Sequence, residues 1–286
     1  MTYEDAVLVA IDDEDPDEML LGWAAAQAEV RGTRLVICHV CEWQSGQRPL
    51  RPMYEGDDRE LGVGPERIVS AALDAVRAAH PDLPVTGAVG TGNPARGLLN
   101  AAEEAAMVIV GARGIGGFPA LLMGSVSGQV AEHATCAVAV VRPTPAGATD
   151  VVVGIDGSPQ ATRALELGLA EVRRTDGKLI AVHAYRLPPV SAAYAPNPGF
   201  EPAIHRKLAE ETLDAELADV EARNPDVKIE RRVEQGPTAR VLLDAADGAA
   251  ALVVGARGLG GFTGLIVGSV SQQAMRHAHC PVLIAH

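Results

Sequence analysis

One stretch of this chain is written twice. GARGIGGFPALLMGSVSGQ starts at Gly111 and GARGLGGFTGLIVGSVSQQ at Gly255, 144 residues later, with 13 of 19 positions identical. Identity that dense marks duplication, and the offset holds well beyond the stretch. It joins Asp12 to Asp156, His39 to His183, Gly92 to Gly236, Arg96 to Arg240, His133 to His277 and Cys136 to Cys280. A period this long exceeds a solenoid unit and fits a whole domain copied in tandem. The 286 residues must therefore build two similar cores of ordinary domain size, not one large core. The expected division is residues 1–143 and 150–286, with the Pro/Gly/Thr-rich segment 144–149 as linker.

Each copy alternates strand and helix signals. AVLVAI and VVVGI are short apolar runs of the kind that form strands buried on both faces. Helical spacing follows from Pro16 to Val30 and from Pro159 to Val172, each with Pro near a first helical position. RLVICHV and KLIAVHA predict second strands, and helices follow over 66–79 and 204–222. Third strands are expected at 83–89 and 227–233, with third helices after Gly92 and Gly236. MVIVGA and ALVVGA predict fourth strands, 124–133 and 268–277 fourth helices, and AVAVV and PVLIA fifth strands. This alternation means an α/β fold: two tandem doubly wound (Rossmann-like) five-stranded parallel sheets, strand order 3-2-1-4-5, with helices on both faces. Ligands bind such sheets at the carboxyl ends of the strands where the order reverses, between the first and fourth. Asp12 and Gly111 should face one crevice, Asp156 and Gly255 the other.

The repeated stretch has a chemical reading. Both copies space their residues as G-x-x-G, nine residues, G-S: Gly111, Gly114, Gly124-Ser125 and Gly255, Gly258, Gly268-Ser269. The second glycine lets backbone approach a ligand without a Cβ in the way. The G-S pair opens a helix, whose unpaired N–H groups and positive dipole end suit an anion. Neither the P-loop pattern nor the dinucleotide fingerprint is present.

With this motif in this strand–loop–helix context, the chain resembles the universal stress proteins, in their tandem two-domain type and nucleotide-binding subset. The resemblance covers nearly the whole chain. It implies an adenine nucleotide, usually ATP and possibly with Mg²⁺, in each crevice. In the second copy it implies contacts from Gly154, Asp156, the backbone of Ala184, Gly255, Gly258, Gly268, Ser269, Val270 and Ser271. The matching positions in the first are Ala10, Asp12, Val40, Gly111, Gly114, Gly124, Ser125, Val126 and Ser127. Asp156 would bond ribose or face phosphates, Ala184 would read the adenine edge, and Gly268 to Ser271 would hold the outer phosphates. The copies differ after the first acid. IDGSP is the family's usual form, whereas IDDEDP places Asp13, Glu14 and Asp15 near any triphosphate. Like charges there cost energy unless a cation such as Mg²⁺ bridges them, or the acids simply form a solvated helix start. The second site is therefore expected to bind more tightly.

Composition narrows the partners. The net charge is −13, which disfavours nucleic acid and anionic membrane. The start has an acidic lead and no run long enough to cross a bilayer, so a cytoplasmic protein is expected. Cys38 and Cys41 form a C-x-x-C at a strand end, a position that suits plain burial better than zinc or redox chemistry. His39 and His183 read as core histidines bonded to backbone, and His133 and His277 as structural residues near helix ends. Arg113 and Arg257 would approach phosphate or face a partner. The long connections 42–65 and 186–202 differ between copies and would give the two sites different character. The fifth strands need cover, and in the family such strands pair between domains, which implies an internal pseudo-dimer and allows a homodimer. The leading function is a stress sensor or regulator with at most slow ATP hydrolysis and no committed catalytic residue. Alternatives are an ATP-dependent ligase or nucleotidyl transferase, a flavin carrier, or a scaffold without ligand.

Overall fold

The structure is a computed structural model and describes residues 3–12, 17–42, 48–53, 64–112, 123–187, 202–259 and 267–286. It forms two compact units, Met1–Pro143 and Thr144–Ala285. Among the described residues, no helix is long and apolar enough to cross a membrane.

Unit 1 runs β1 (Val7–Ala10), α1 (Glu18–Arg31), β2 (Leu35–Cys41), β3 (Arg48–Pro52), α2 (Pro65–Ala79), β4 (Val85–Thr91), α3 (Pro94–Ala102), β5 (Met107–Gly111), α4 (Ser125–His133) and β6 (Ala137–Val141). Its strands lie in the order β3-β4-β2-β1-β5-β6. All pairs are parallel except β3 with β4. Helices α1 and α2 pack together, as do α3 and α4. That pairing is what winding in both directions from a central strand produces.

Unit 2 runs β7 (Val151–Gly154), α5 (Pro159–Thr175), β8 (Leu179–Tyr185), α6 (Pro202–Arg223), β9 (Ile229–Gln235), α7 (Thr238–Ala245), β10 (Ala251–Gly255), α8 (Ser269–His277) and β11 (Val282–Ala285). Its order, β9-β8-β7-β10-β11, is the expected 3-2-1-4-5, all parallel. The central strands explain the continuous apolar runs. Val7, Leu8, Val9, Val151, Val152 and Val153 are fully buried because helices cover both sheet faces. Each such side chain contributes roughly 1.5–3 kcal/mol of transfer free energy.

Two features depart from the sequence expectation. Helix α1 begins at Glu18, not at a proline, because the Asp17 carboxylate caps it by accepting from the Leu20 N–H at 3.0 Å. Unit 1 also carries a sixth strand, the antiparallel β3, inside the connection read as irregular. Pro49 and Pro52 hid it, since proline lacks the N–H that a central strand needs. At a sheet edge only one side of the strand must bond, and β3 is such an edge, with a register shift between Arg48 and Arg51.

Candidate functional site

In unit 2, β7 leads through Ile155 into Asp156, Gly157 and Ser158. The Ser158 hydroxyl caps α5, accepting from the Ala161 N–H at 3.2 Å. Gly157 takes φ +81°, a conformation strained for any residue with a side chain. The Asp156 carboxylate works in two directions. Oδ1 accepts from the Ser158 N–H at 3.1 Å and Oδ2 from the Leu259 N–H at 3.0 Å. The second bond crosses the crevice, joining the exit of β7 to the loop that leaves β10. Gly258 permits the approach, because a Cβ there would lie 2.2 Å from Asp156 Oδ2. At Gly255 a Cβ would sit 2.8 Å from the Cβ of Gln160, so the end of β10 runs against the first turn of α5.

The loop returns at Gly268, whose N–H donates to the Ala256 carbonyl at 2.7 Å. Gly268 is the extended N-cap of α8 and supplies no side-chain cap. The amides of Ser269, Val270 and Ser271 therefore lack intrahelical acceptors at the positive end of the helix dipole. The Ser271 hydroxyl has another partner. It is buried and donates to the Gly255 carbonyl at 2.6 Å. What Ser271 can still donate to a ligand is its backbone N–H.

On the other side, β8 outruns β7. The Ile155 N–H donates to the Val182 carbonyl at 2.9 Å, so Val182 bonds toward β7. The Gly236 N–H donates to the Tyr185 carbonyl at 3.0 Å, so odd-numbered residues here bond toward β9. By alternation Ala184 turns its N–H and C=O toward the β7 side, past the point where β7 has ended. The Ile155 carbonyl, next in line for that ladder, accepts from His183 Nδ1–H at 2.9 Å. A histidine ring thus ends the ladder and exposes one peptide edge to the crevice.

Unit 1 repeats this frame. His39 Nδ1–H donates to the Ile11 carbonyl at 2.9 Å, and the Ile11 N–H to the Cys38 carbonyl at 3.0 Å, which turns Val40 toward the β1 side. The Gly124 N–H donates to Ala112 at 2.9 Å, and the Ser127 hydroxyl to the Gly111 carbonyl at 2.6 Å. Gly124 caps α4 without a side chain, and Ser125 and Val126 form its first turn. Ala10 and Gly154 end β1 and β7. Asp12 follows β1 and is exposed. Gly114, Arg113, Asp13, Glu14 and Asp15 lie outside the described residues, as do most of the two long connections. The structure thus joins Asp156 to the Gly258–Leu259 turn and Gly255 to Ser271, with Gly268, Ser269 and Val270 at the start of the same helix and Ala184 on β8, the strand beside β7.

Other tempting residues have structural partners. His133 Nδ1–H bonds the Gln129 carbonyl at 3.0 Å, in the last turn of α4. Cys38 is fully buried, and burial pushes its thiol up to about 12, far from a reactive thiolate. Three residues apart on one strand, Cys38 and Cys41 point to opposite faces. Arg257 is exposed. Thr212 and Glu216 were not legible in the sequence. They come from α6 to the Gly157 turn, 55 or more residues downstream, and the repeat gives no hint of them because Glu216 corresponds to Ala72.

The Universal stress protein family profile matches residues 5–142 and again 148–286. A universal stress protein of Mycobacterium tuberculosis is 31% identical over 299 residues, covering 98% of this chain and 95% of the relative. One from Mycolicibacterium smegmatis is 31% identical over 294 residues, covering 98% and 97%. Among solved structures, a universal stress protein of Archaeoglobus fulgidus is similar in fold, with TM-score 0.62 and 18% identity over 98% of this chain and 97% of that one. A functionally unknown protein of Pseudomonas aeruginosa has TM-score 0.67 and 13% identity, covering 99% and 92%.

Proposed function

Because the chain belongs to the universal stress protein family, we propose that its second unit binds an adenine nucleotide, ATP foremost, and that the chain acts as a nucleotide-responsive regulator in stress responses. The observation that carries the reading is the closure of the Asp156 carboxylate onto the Leu259 N–H over a position where only glycine fits. Such a close backbone approach is what a phosphate-lining loop requires. The amides of Gly268 to Ser271 would receive the outer phosphates at the start of α8. Asp156 would accept from a ribose hydroxyl, and the peptide edge of Ala184 would pair with the adenine edge. Mg²⁺ would arrive with the phosphates, as it commonly does in nucleotide sites. Unit 1 would bind more weakly, because its sequence sets Asp13, Glu14 and Asp15 beside the phosphate path.

The test is to denature the purified protein, identify the released small molecule by mass spectrometry, and titrate ATP calorimetrically. A Cβ at Gly268 would have only ordinary contacts, the nearest 3.5 Å away at the Ala256 carbonyl oxygen. Gly268→Ala therefore leaves the fold intact and crowds only the ligand. Its expected effect is a larger loss of ATP affinity than Gly124→Ala produces. Equal losses would remove the asymmetry, and no binding of ATP at millimolar concentration would remove the reading.

A further inference from the structure

Helix α6 buries Leu213, Leu217 and Val220. Thr212 and Glu216, one turn apart, form an adjoining stripe that reaches the mouth of the unit 2 crevice. A Cβ placed on Gly157 would lie 3.8 Å from Thr212 Cγ2, 3.9 Å from Glu216 Oε1 and 4.0 Å from Leu259 Cδ1. The Thr212 hydroxyl is turned away and donates to the Leu208 carbonyl at 2.8 Å. Both Asp156 oxygens accept from backbone N–H groups. Glu216 is half-buried and, among the described residues, has no hydrogen bond or ion pair. Among the described residues, its charge has no partner beside the Gly157 turn.

The repeat sharpens the point. Position 157 corresponds to Asp13 in the first copy and position 216 to Ala72. At these two positions the sequence of the second copy trades an acid after the first strand for one in the helix.

We propose that Glu216 is a specificity-determining residue that makes the unit 2 site select for charge-compensated polyphosphate, admitting the divalent-cation complex and disfavouring the free anion. The proposal rests on the nucleotide reading above. A carboxylate held near a phosphate chain repels it, and a divalent cation on that chain removes most of the repulsion. The asymmetry follows from one side chain of this protein and needs no cage of protein ligands.

The experiment titrates the full chain with ATP in EDTA and with ATP in excess Mg²⁺, for the wild type, Glu216→Gln and Glu216→Asp. The wild type is expected to bind the Mg²⁺ complex on the order of tenfold more tightly than free ATP. Glu216→Gln keeps the shape and removes the charge, so at the tighter of the two sites it should gain affinity in EDTA and bring the ratio near one. Glu216→Asp keeps the charge and should keep most of the ratio. A ratio unchanged by Glu216→Gln overturns the proposal and leaves the nucleotide reading standing. Absence of binding by the wild type in both media overturns the nucleotide reading, and this proposal with it.

Discussion

Ser127 and Ser271 each donate a hydroxyl proton to a glycine carbonyl 16 residues back, at 2.6 Å, and both are buried. The bond ties the start of a helix to the end of the strand before it, so the glycine loop between them has fixed ends. Ser271→Ala leaves the Gly255 carbonyl without this donor and should cost about 1–2 kcal/mol, read as a lower urea midpoint with an unchanged slope. A midpoint equal to the wild type's would show that the tie adds nothing. The sequence could mark both serines as part of the motif, because spacing is visible there. It could not show which way a hydroxyl points, because that depends on a carbonyl brought in by folding. The histidines were easier to read, since a matched pair late in a buried strand has few partners other than backbone. Glu216 was beyond reach for the opposite reason, being an acid in a charged amphipathic helix that looks like any solvated position.

The third strand of each unit shows how one fold solves an edge problem in two ways. In unit 1, β4 reads VTGAVGT and is covered by β3. In unit 2, β9 reads IERRVEQ, and among the described residues it pairs with β8 alone. An apolar edge invites association, whereas an edge studded with charge resists it. Those charges are paired within the unit. Lys178 bonds Glu230 at 2.5 Å, Arg232 bonds Glu230 at 2.6 Å, and Arg231 bonds Asp214 at 2.8 Å. Hydrogen bonds from Lys178 and then Arg232 hold the Glu230 carboxyl below the usual carboxylate range. A carboxyl depressed in the folded state stabilises it fully above its unfolded pKa, and the contribution is lost as pH falls through the folded value. Acid should therefore loosen the β8–β9 edge from about pH 5 downward, and Glu230→Gln should flatten that part of the stability profile measured by urea unfolding at stepped pH. An unchanged profile would show that the pairs are screened, as exposed pairs often are. The strand and helix periods were legible throughout because the core strands are uniformly apolar. β3 was not, because its evidence is a backbone partner and not a pattern.

At the scale of the whole chain, the duplication predicts separability. Each unit buries its own central strands under its own helices, and each has the length of an ordinary domain. Segments 1–143 and 144–286, expressed apart, should each fold cooperatively, with far-UV circular dichroism summing to that of the intact chain. A segment that stays unfolded would show that its core is completed by the other half. The order of the parallel strands could be read from the alternation of strand and helix in each copy, since it follows from connectivity. The expected balance between the two sites rests on Asp13, Glu14 and Asp15, which the sequence shows, whereas the approach of Glu216 to the Gly157 turn was not visible, because it comes from a helix that the motif never mentions. One feature makes that balance observable. Where His39 and His183 end their ladders, Val40 and Ala184 are left with amides that no strand protects. Those two amides should exchange with solvent faster than their neighbours in β2 and β8 and slow down when a base edge pairs with them. Each unit thus carries its own isotopic counter, one proton wide, by which the proposed binding of nucleotide would be followed separately in each half of a single unmutated chain.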